Sequence, residues 1–192
     1  MRKRNLSFLF SLILFSFYQD SLPKNFIDKL ERTKIEYIVP QGYKVIGIES
    51  NIQMQYDYAI QNTLNGVEIR YAIRPMDSLI IMKEDKNNHI SVDLNLVSRM
   101  NNLAISQNIS ERKAVIKNVG LPAADAKKQY NADWGSLISI KPNKEFSRSQ
   151  RVCLMLSLHK NNIGDAYIFY LGNSLSDIQN TFPETILSLK FK

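Results

Sequence analysis

The clearest signal along the chain is strict alternation in two neighbouring segments. Met54, Tyr56, Tyr58 and Ile60 alternate with Gln55, Asp57 and Ala59. After a turn at Asn62-Thr63-Leu64-Asn65-Gly66, Val67, Ile69, Tyr71 and Ile73 alternate with Glu68, Arg70, Ala72 and Arg74. A period of two with one apolar face predicts a half-buried antiparallel pair. Pro75 ends it, because proline cannot donate to a ladder. Arg151 to His159 has a different pattern. Val152, Leu154, Leu156 and Leu158 face one way and Cys153 and Met155 the other, which predicts an interior strand covered on both sides. Asn161 to Asp165 reads as a hairpin turn, and Ala166 to Leu171, rich in β-formers, as the returning strand. Shorter strands are expected at Ile35 to Val39, at Tyr43 to Ile48 after the Pro40-Gln41-Gly42 turn, and at Ser136 to Lys141.

Elsewhere the period lengthens. Phe26, Ile27 and Leu30 share a face of a short helix between Leu22 and Thr33, with Pro23 in its first turn. Val92, Leu96, Met100 and Leu103 recur at four, four and three, with Val97 and Ala104 beside them. This predicts a helix from Val92 to Ile105 with that stripe turned to the core. Pro122 opens an Ala-rich helix, Ala123 to Asn131. Leu175, Ile178, Phe182 and Ile186 mark a closing helix that Pro183 is expected to break. The order is α, four strands, two helices, three strands, α. Hairpin connections dominate it, so the fold class is α+β. A mainly antiparallel sheet is covered by helices in a layered α/β/α sandwich.

The first residues follow neither period. Arg2, Lys3 and Arg4 precede an uncharged, mostly apolar run from Leu6 to Tyr18, closed by Asp20. That layout predicts a signal peptide over residues 1–20 and a single domain over 21–192. The run is shorter than the roughly 20 apolar residues of a membrane span, so no stable transmembrane segment is expected in the mature chain. Ser16 and Ser21 are the only small residues near the junction, and it carries no Cys, which excludes a Cys-anchored lipoprotein. The expected destination is periplasmic or secreted.

Charge changes the picture little. The 192 residues carry +7, and without the three leader cations 22 basic residues face 18 acidic ones. Past the leader the adjacent basic pairs are Arg112-Lys113 and Lys127-Lys128. No cationic face emerges of the kind that nucleic-acid binding needs.

Candidate chemistry is sparse. His89 and His159 are far apart and Cys153 is the single cysteine, too few donors for a typical zinc site. Cys153 sits in an apolar run and is expected to be a small buried hydrophobe. On one strand Cys153 and His159 share a face but lie about 20 Å apart at roughly 3.3 Å per residue, beyond proton-transfer reach. Sequence order places no limit on a Ser-His-Asp arrangement, yet no Gly-x-Ser-x-Gly elbow and no phosphate-cradling loop occurs. Asp77, Glu84 and Asp85, interleaved with Lys83 and Lys86, read as a solvated loop. Asn161 to Asp165 lacks the length and closing Glu of a calcium loop and reads as a simple turn. The sequon at Asn108-Ile109-Ser110 matters only in a eukaryotic secretory pathway. No catalytic residue, metal site or cofactor is assigned. Glu68, Arg70 and Arg74 on the polar side of their strand either pair across strands or form a charged patch for a partner. Trp134, beside Gly135, is either a core aromatic or an exposed binding residue.

Pro40-Gln41-Gly42-Tyr43, the strand from Val67 to Ile73, the closing Tyr167-Ile168-Phe169-Tyr170 and the final Phe182-Pro183-Glu184-Thr185-Ile186-Leu187-Ser188-Leu189 give the chain a further character. In these patterns it resembles the PsbP-like family, which includes extrinsic proteins of photosystem II and a wider set of bacterial proteins. The resemblance implies a fold and a scaffold or partner-binding role, and carries over no functional residue. The expectation is therefore an exported, non-enzymatic domain that binds a protein or envelope partner. The alternatives are an enzyme with a scattered site and a carrier of small apolar ligands.

Overall fold

The structure, a computed structural model, describes residues 22–50, 52–85, 93–111, 117–118 and 120–192. The expected signal peptide, His89, Val92, Lys86 and the Arg112-Lys113 pair lie outside them. The chain runs α1 (Lys24–Arg32), β1 (Ile35–Tyr37), β2 (Tyr43–Val45), β3 (Tyr58–Asn62), β4 (Glu68–Pro75), α2 (Asp77–Glu84) and α3 (Leu94–Ile109). It continues through β5 (Lys117–Asn118), α4 (Ala123–Tyr130), β6 (Trp134–Ile140), β7 (Val152–Lys160), β8 (Gly164–Gly172), α5 (Leu175–Thr185) and β9 (Leu189–Phe191). Seven strands form one antiparallel sheet in the order β2-β3-β4-β8-β7-β6-β5, and β1 pairs with β9 in a separate ribbon. The fold is α+β. No helix among the described residues is long and apolar enough to cross a membrane.

Alternation along β4, β7 and β8 sends side chains to two faces, and the two faces differ in chemistry. The first is wholly apolar in its centre. Ile69, Tyr71 and Ile73 of β4, Leu154, Leu156 and Leu158 of β7, and Ile168 and Tyr170 of β8 meet Phe26 and Leu30 of α1, Ala126 and Tyr130 of α4, Ile178 of α5, and Leu189 and Phe191 of β9. Phe26 stacks on Tyr58 at 4.9 Å between ring centres. The second face is built by Cys153, Met155, Tyr167, Phe169 and Leu171 under Tyr56, Ile109 and Phe146. Its apolar patch stops short of the β7–β8 turn, where Ser157, His159 and Asp165 take the inward positions instead. This polar end positions α3.

Several expectations change. The β3–β4 pair is covered on both faces rather than half-buried, because the segment 143–150 folds over the side that carries Arg70. Asp77 to Glu84 is a helix, not a solvated loop. α5 runs through Pro183, which removes one i→i−4 hydrogen bond in the last turn without ending the helix there. A Ser174/Asp177 capping box secures its other end. Ile27 is 38% exposed, so α1 packs through Phe26 and Leu30 alone. The β9 strand, three residues long, is not among the expected elements, although Leu187 to Lys192 alternates apolar and polar and Leu189 and Phe191 are buried.

β7 is interior and Leu156 is 2% exposed. Leu156→Asp would bury an unpaired charge in a site lined by Ile168 and Leu137 on the adjoining strands. The expected outcome is a chain that does not fold. A cooperative thermal transition near the parent midpoint, followed by circular dichroism, would contradict the placement of this strand.

Candidate functional site

The polar end of the second face draws three residues from distant parts of the chain. Asp165 lies at the start of β8 and His159 at the end of β7, directly opposite each other in register. Ser98 reaches down from α3. All three are 3% exposed or less. The His159 Nδ1–H donates to Asp165 Oδ1 at 2.7 Å, and the Ser98 hydroxyl donates to the same carboxylate, with its oxygen 2.8 and 2.9 Å from the two acceptors. Tyr167 donates to Asp165 Oδ2 at 3.3 Å. Burial, and after it the Asp165 charge, pushes the Tyr167 phenol upward, so it stays a donor. One turn along the helix, Ser157 of β7 donates to Asn102 at 2.6 Å.

Ser, His and Asp together invite comparison with a nucleophilic triad, and the geometry is that of a structural anchor. A triad needs the serine on one ring nitrogen and the carboxylate on the other. Here Ser98 and Asp165 crowd the same nitrogen, with Ser98 Oγ 3.0 Å from Nδ1. The hydroxyl proton is committed to the carboxylate, and no path leads to the 1% exposed Ser98. The other nitrogen, Nε2, lies 2.8 Å from the side-chain oxygen of Asn95 and 3.1 Å from that of Asn161. Beyond it is a small cleft of about 160 Å³ lined by Asn95, Arg99, Asp133, Trp134, His159 and Asn161. The Arg99 guanidinium sits 5.9 Å above the Trp134 ring there.

The anchor has a large effect on α3. Its buried residues are Leu94, Ser98, Asn102, Ser106 and Ile109. At about 100° per residue these centre on one side of the helix, and Leu96, Met100 and Leu103 centre almost opposite. Those three are 54%, 61% and 55% exposed. The stripe expected to face the core points outward. Asp93 caps the helix by accepting from the backbone N–H groups of Asn95 and Leu96, which fixes the start of the register.

Of the four candidate partner-binding residues, two are inaccessible. Glu68 and Arg70 are 6% and 4% exposed. Arg70 Nε donates to Glu68 at 2.5 Å and Nη1 to the Phe146 carbonyl at 2.6 Å, while its guanidinium lies 4.7 Å from the Tyr56 ring centre and 5.0 Å from that of Phe146. They pin the segment 143–150 to the sheet. Arg74 lines a larger, open cleft of about 570 Å³ between α1 and the stretch before β3. There Lys29 and Arg74 both close on buried Asp57, at 2.5 and 3.1 Å, and Arg32 holds Asp77 through two bonds of 2.8 and 2.7 Å. Each cation of that cleft is thus matched to a carboxylate. Trp134 is half-buried at the β6 end beside Arg99, in the small cleft.

The remaining candidates separate. Cys153 is fully buried, and burial pushes its thiol up, so it stays protonated and inert. Asp165 lies in β8 with its carboxylate turned inward, so the turn that follows β7 is not a cation loop. Among the described residues no group of three or more His, Cys, Asp or Glu is placed to hold a metal. No family model matches the chain, and no curated protein matches it.

If the anchor holds α3, Ser98→Ala leaves the buried carboxylate one donor short, at a cost of about 1–3 kcal/mol. Urea denaturation of the two proteins measures this directly. A difference below about 0.5 kcal/mol, the range of ordinary surface changes, would show that the contact does not hold the helix.

Proposed function

We propose that this chain is an exported, non-enzymatic binding domain whose partner is a protein docking on the outward face of α3. One observation carries the reading. Leu96, Met100 and Leu103 are each more than half exposed on the side of a helix whose polar side is locked to the sheet. Contiguous apolar side chains in this setting mark interaction surfaces. Their spacing of i, i+4 and i+7 is that of helical anchors entering an apolar groove. Arg99 is the only charged residue within α3, and interface centres are depleted of charge. The resemblance to the PsbP-like family points to the same kind of role, and the leader residues Arg2 to Tyr18 support export.

The test is a photo-crosslinking side chain at position 96, with position 64, where Leu64 is 94% exposed, as the control site. A discrete adduct is expected from position 96 only. The double variant L96D/L103D should lose that partner while its unfolding free energy stays within about 1 kcal/mol of the parent, about 0.5 kcal/mol for each exposed site. Equal adducts from both sites, or an unchanged adduct in the double variant, would reject the docking face.

A second reading, an enzyme with a scattered site, is favoured by one feature, the Asp165-oriented His159 whose Nε2 faces the Arg99–Trp134 cleft. A general acid or base there would lose several orders of magnitude in rate on substitution. Under the binding reading, His159→Gln lowers stability and leaves partner capture intact. A folded His159→Gln protein with its biological activity abolished would put the enzyme first.

A further inference from the structure

We infer that the small cleft between α3 and the β6–β7 end of the sheet binds a small oxyanion, held by Arg99 and by the side-chain amides of Asn95 and Asn161. The inference goes beyond the docking reading and does not rest on it. Two residue pairs build the cleft. On α3, Asn95 and Arg99 are four apart and so share one edge of the helix, between its buried side and its outward one. On the sheet, Trp134 of β6 and His159 of β7 are directly opposite in register and so belong to the same face. Asn161 and Asp133 complete the lining. The floor is fixed in place. His159 is 2% exposed, and its Nδ1–H is held by Asp165, which turns Nε2 toward the cleft.

The hydrogen-bonding groups that remain for a ligand are donors. The carboxylate of the cleft, Asp133, is committed: Lys127 lies 3.1 Å and Lys160 3.7 Å from Oδ1, and the Asn161 N–H donates to Oδ2 at 3.0 Å. Asn95 and Asn161 both turn their amide oxygens to His159 Nε2, which leaves their NH2 groups to the cleft. Arg99 differs from Lys29, Arg32 and Arg74 of the larger cleft, each of which closes on a carboxylate. Among the described residues no carboxylate lies within 4.0 Å of Arg99. Two lysines already share Asp133, so Arg99 adds an unanswered positive charge. A guanidinium set over an aromatic ring keeps its planar N–H fork for a carboxylate or a phosphate. Size limits the choice further. The cleft measures about 160 Å³, and a cavity of about 150 Å³ accommodates a molecule the size of benzene. Acetate or inorganic phosphate fits, and a nucleotide does not. So few ligand atoms give weak binding, with a dissociation constant on the order of 1 mM.

Trp134 is the only tryptophan of the chain, so its emission and its indole N–H resonance both report on this cleft. The purified protein is titrated separately with acetate and with inorganic phosphate, each against sodium chloride at equal ionic strength, which removes general screening. A saturable change with a midpoint on the order of 1 mM is expected from at least one of them. The two arms separate a carboxylate source from a phosphate one. Arg99→Gln should weaken the response at least tenfold through loss of the charge-assisted bonds. Arg148→Gln, the same change at another exposed arginine, should leave it intact. Arg99 is itself exposed, so the R99Q protein should keep the parent's unfolding midpoint. Asn95→Asp sets a like charge beside the ligand and should weaken binding in the same way. A protein in which neither anion produces a saturable change in either signal overturns the site. So does an R99Q protein that binds as the parent does.

Discussion

The arrangement of this molecule depends on where three buried polar groups find their partners. Asp165, His159 and Ser157 occupy inward positions at one end of a sheet that is otherwise apolar on that face. A buried carboxylate without donors is costly, so whatever covers it must bring hydroxyls and amides. α3 brings Ser98 and Asn102 on successive turns. A helix has only one buried side, and once that side is chosen for its polar residues, Leu96, Met100 and Leu103 have nowhere to go but outward. The exposed apolar face thus follows from how the sheet's polar end is satisfied.

This explains what could be read in the sequence. The long strands were legible because period-two alternation survives burial on either face, as in Val152 to Leu158 and Val67 to Ile73. α3 was legible as a helix and illegible in orientation. An apolar stripe is normally the buried one, and that rule assumes an apolar surface beneath. The contrary signal is present in β7 and β8. Ser157, His159 and Asp165 continue the inward period of Cys153, Met155 and Tyr167, so polar residues had to lie inside. Reading the strands' inward positions before orienting the helix would have pointed to the anchor.

The charged run of β4 misled for a related reason. Glu68, Arg70 and Arg74 look like a solvent face because charges rarely lie inside unpaired. Arg70 is paired, capped by a carbonyl, and flanked by two aromatic rings. Every contact except that to Glu68 comes from outside the strand, from Tyr56 and chiefly from the distant Phe146, so no local pattern could announce them. α2 escaped for a simpler cause: an exposed helix of mixed polarity leaves almost no periodic trace. β9 does alternate, from Leu187 to Lys192, but the run is short and directly follows the closing helix.

The β1–β9 ribbon ties Ile35 to Phe191, nearly the two ends of the described chain. Phe191 and Leu189 also complete the apolar layer against which α1 packs. Closing so long a loop carries its entropic cost before the contacts return anything, and folds rich in such distant pairings are slow. The β7–β8 hairpin is local and can form early, while the β1–β9 ribbon needs segments more than 150 residues apart. A fold closed in this way has its slowest step in bringing two distant segments together, and the ribbon is the seam at which that step is completed.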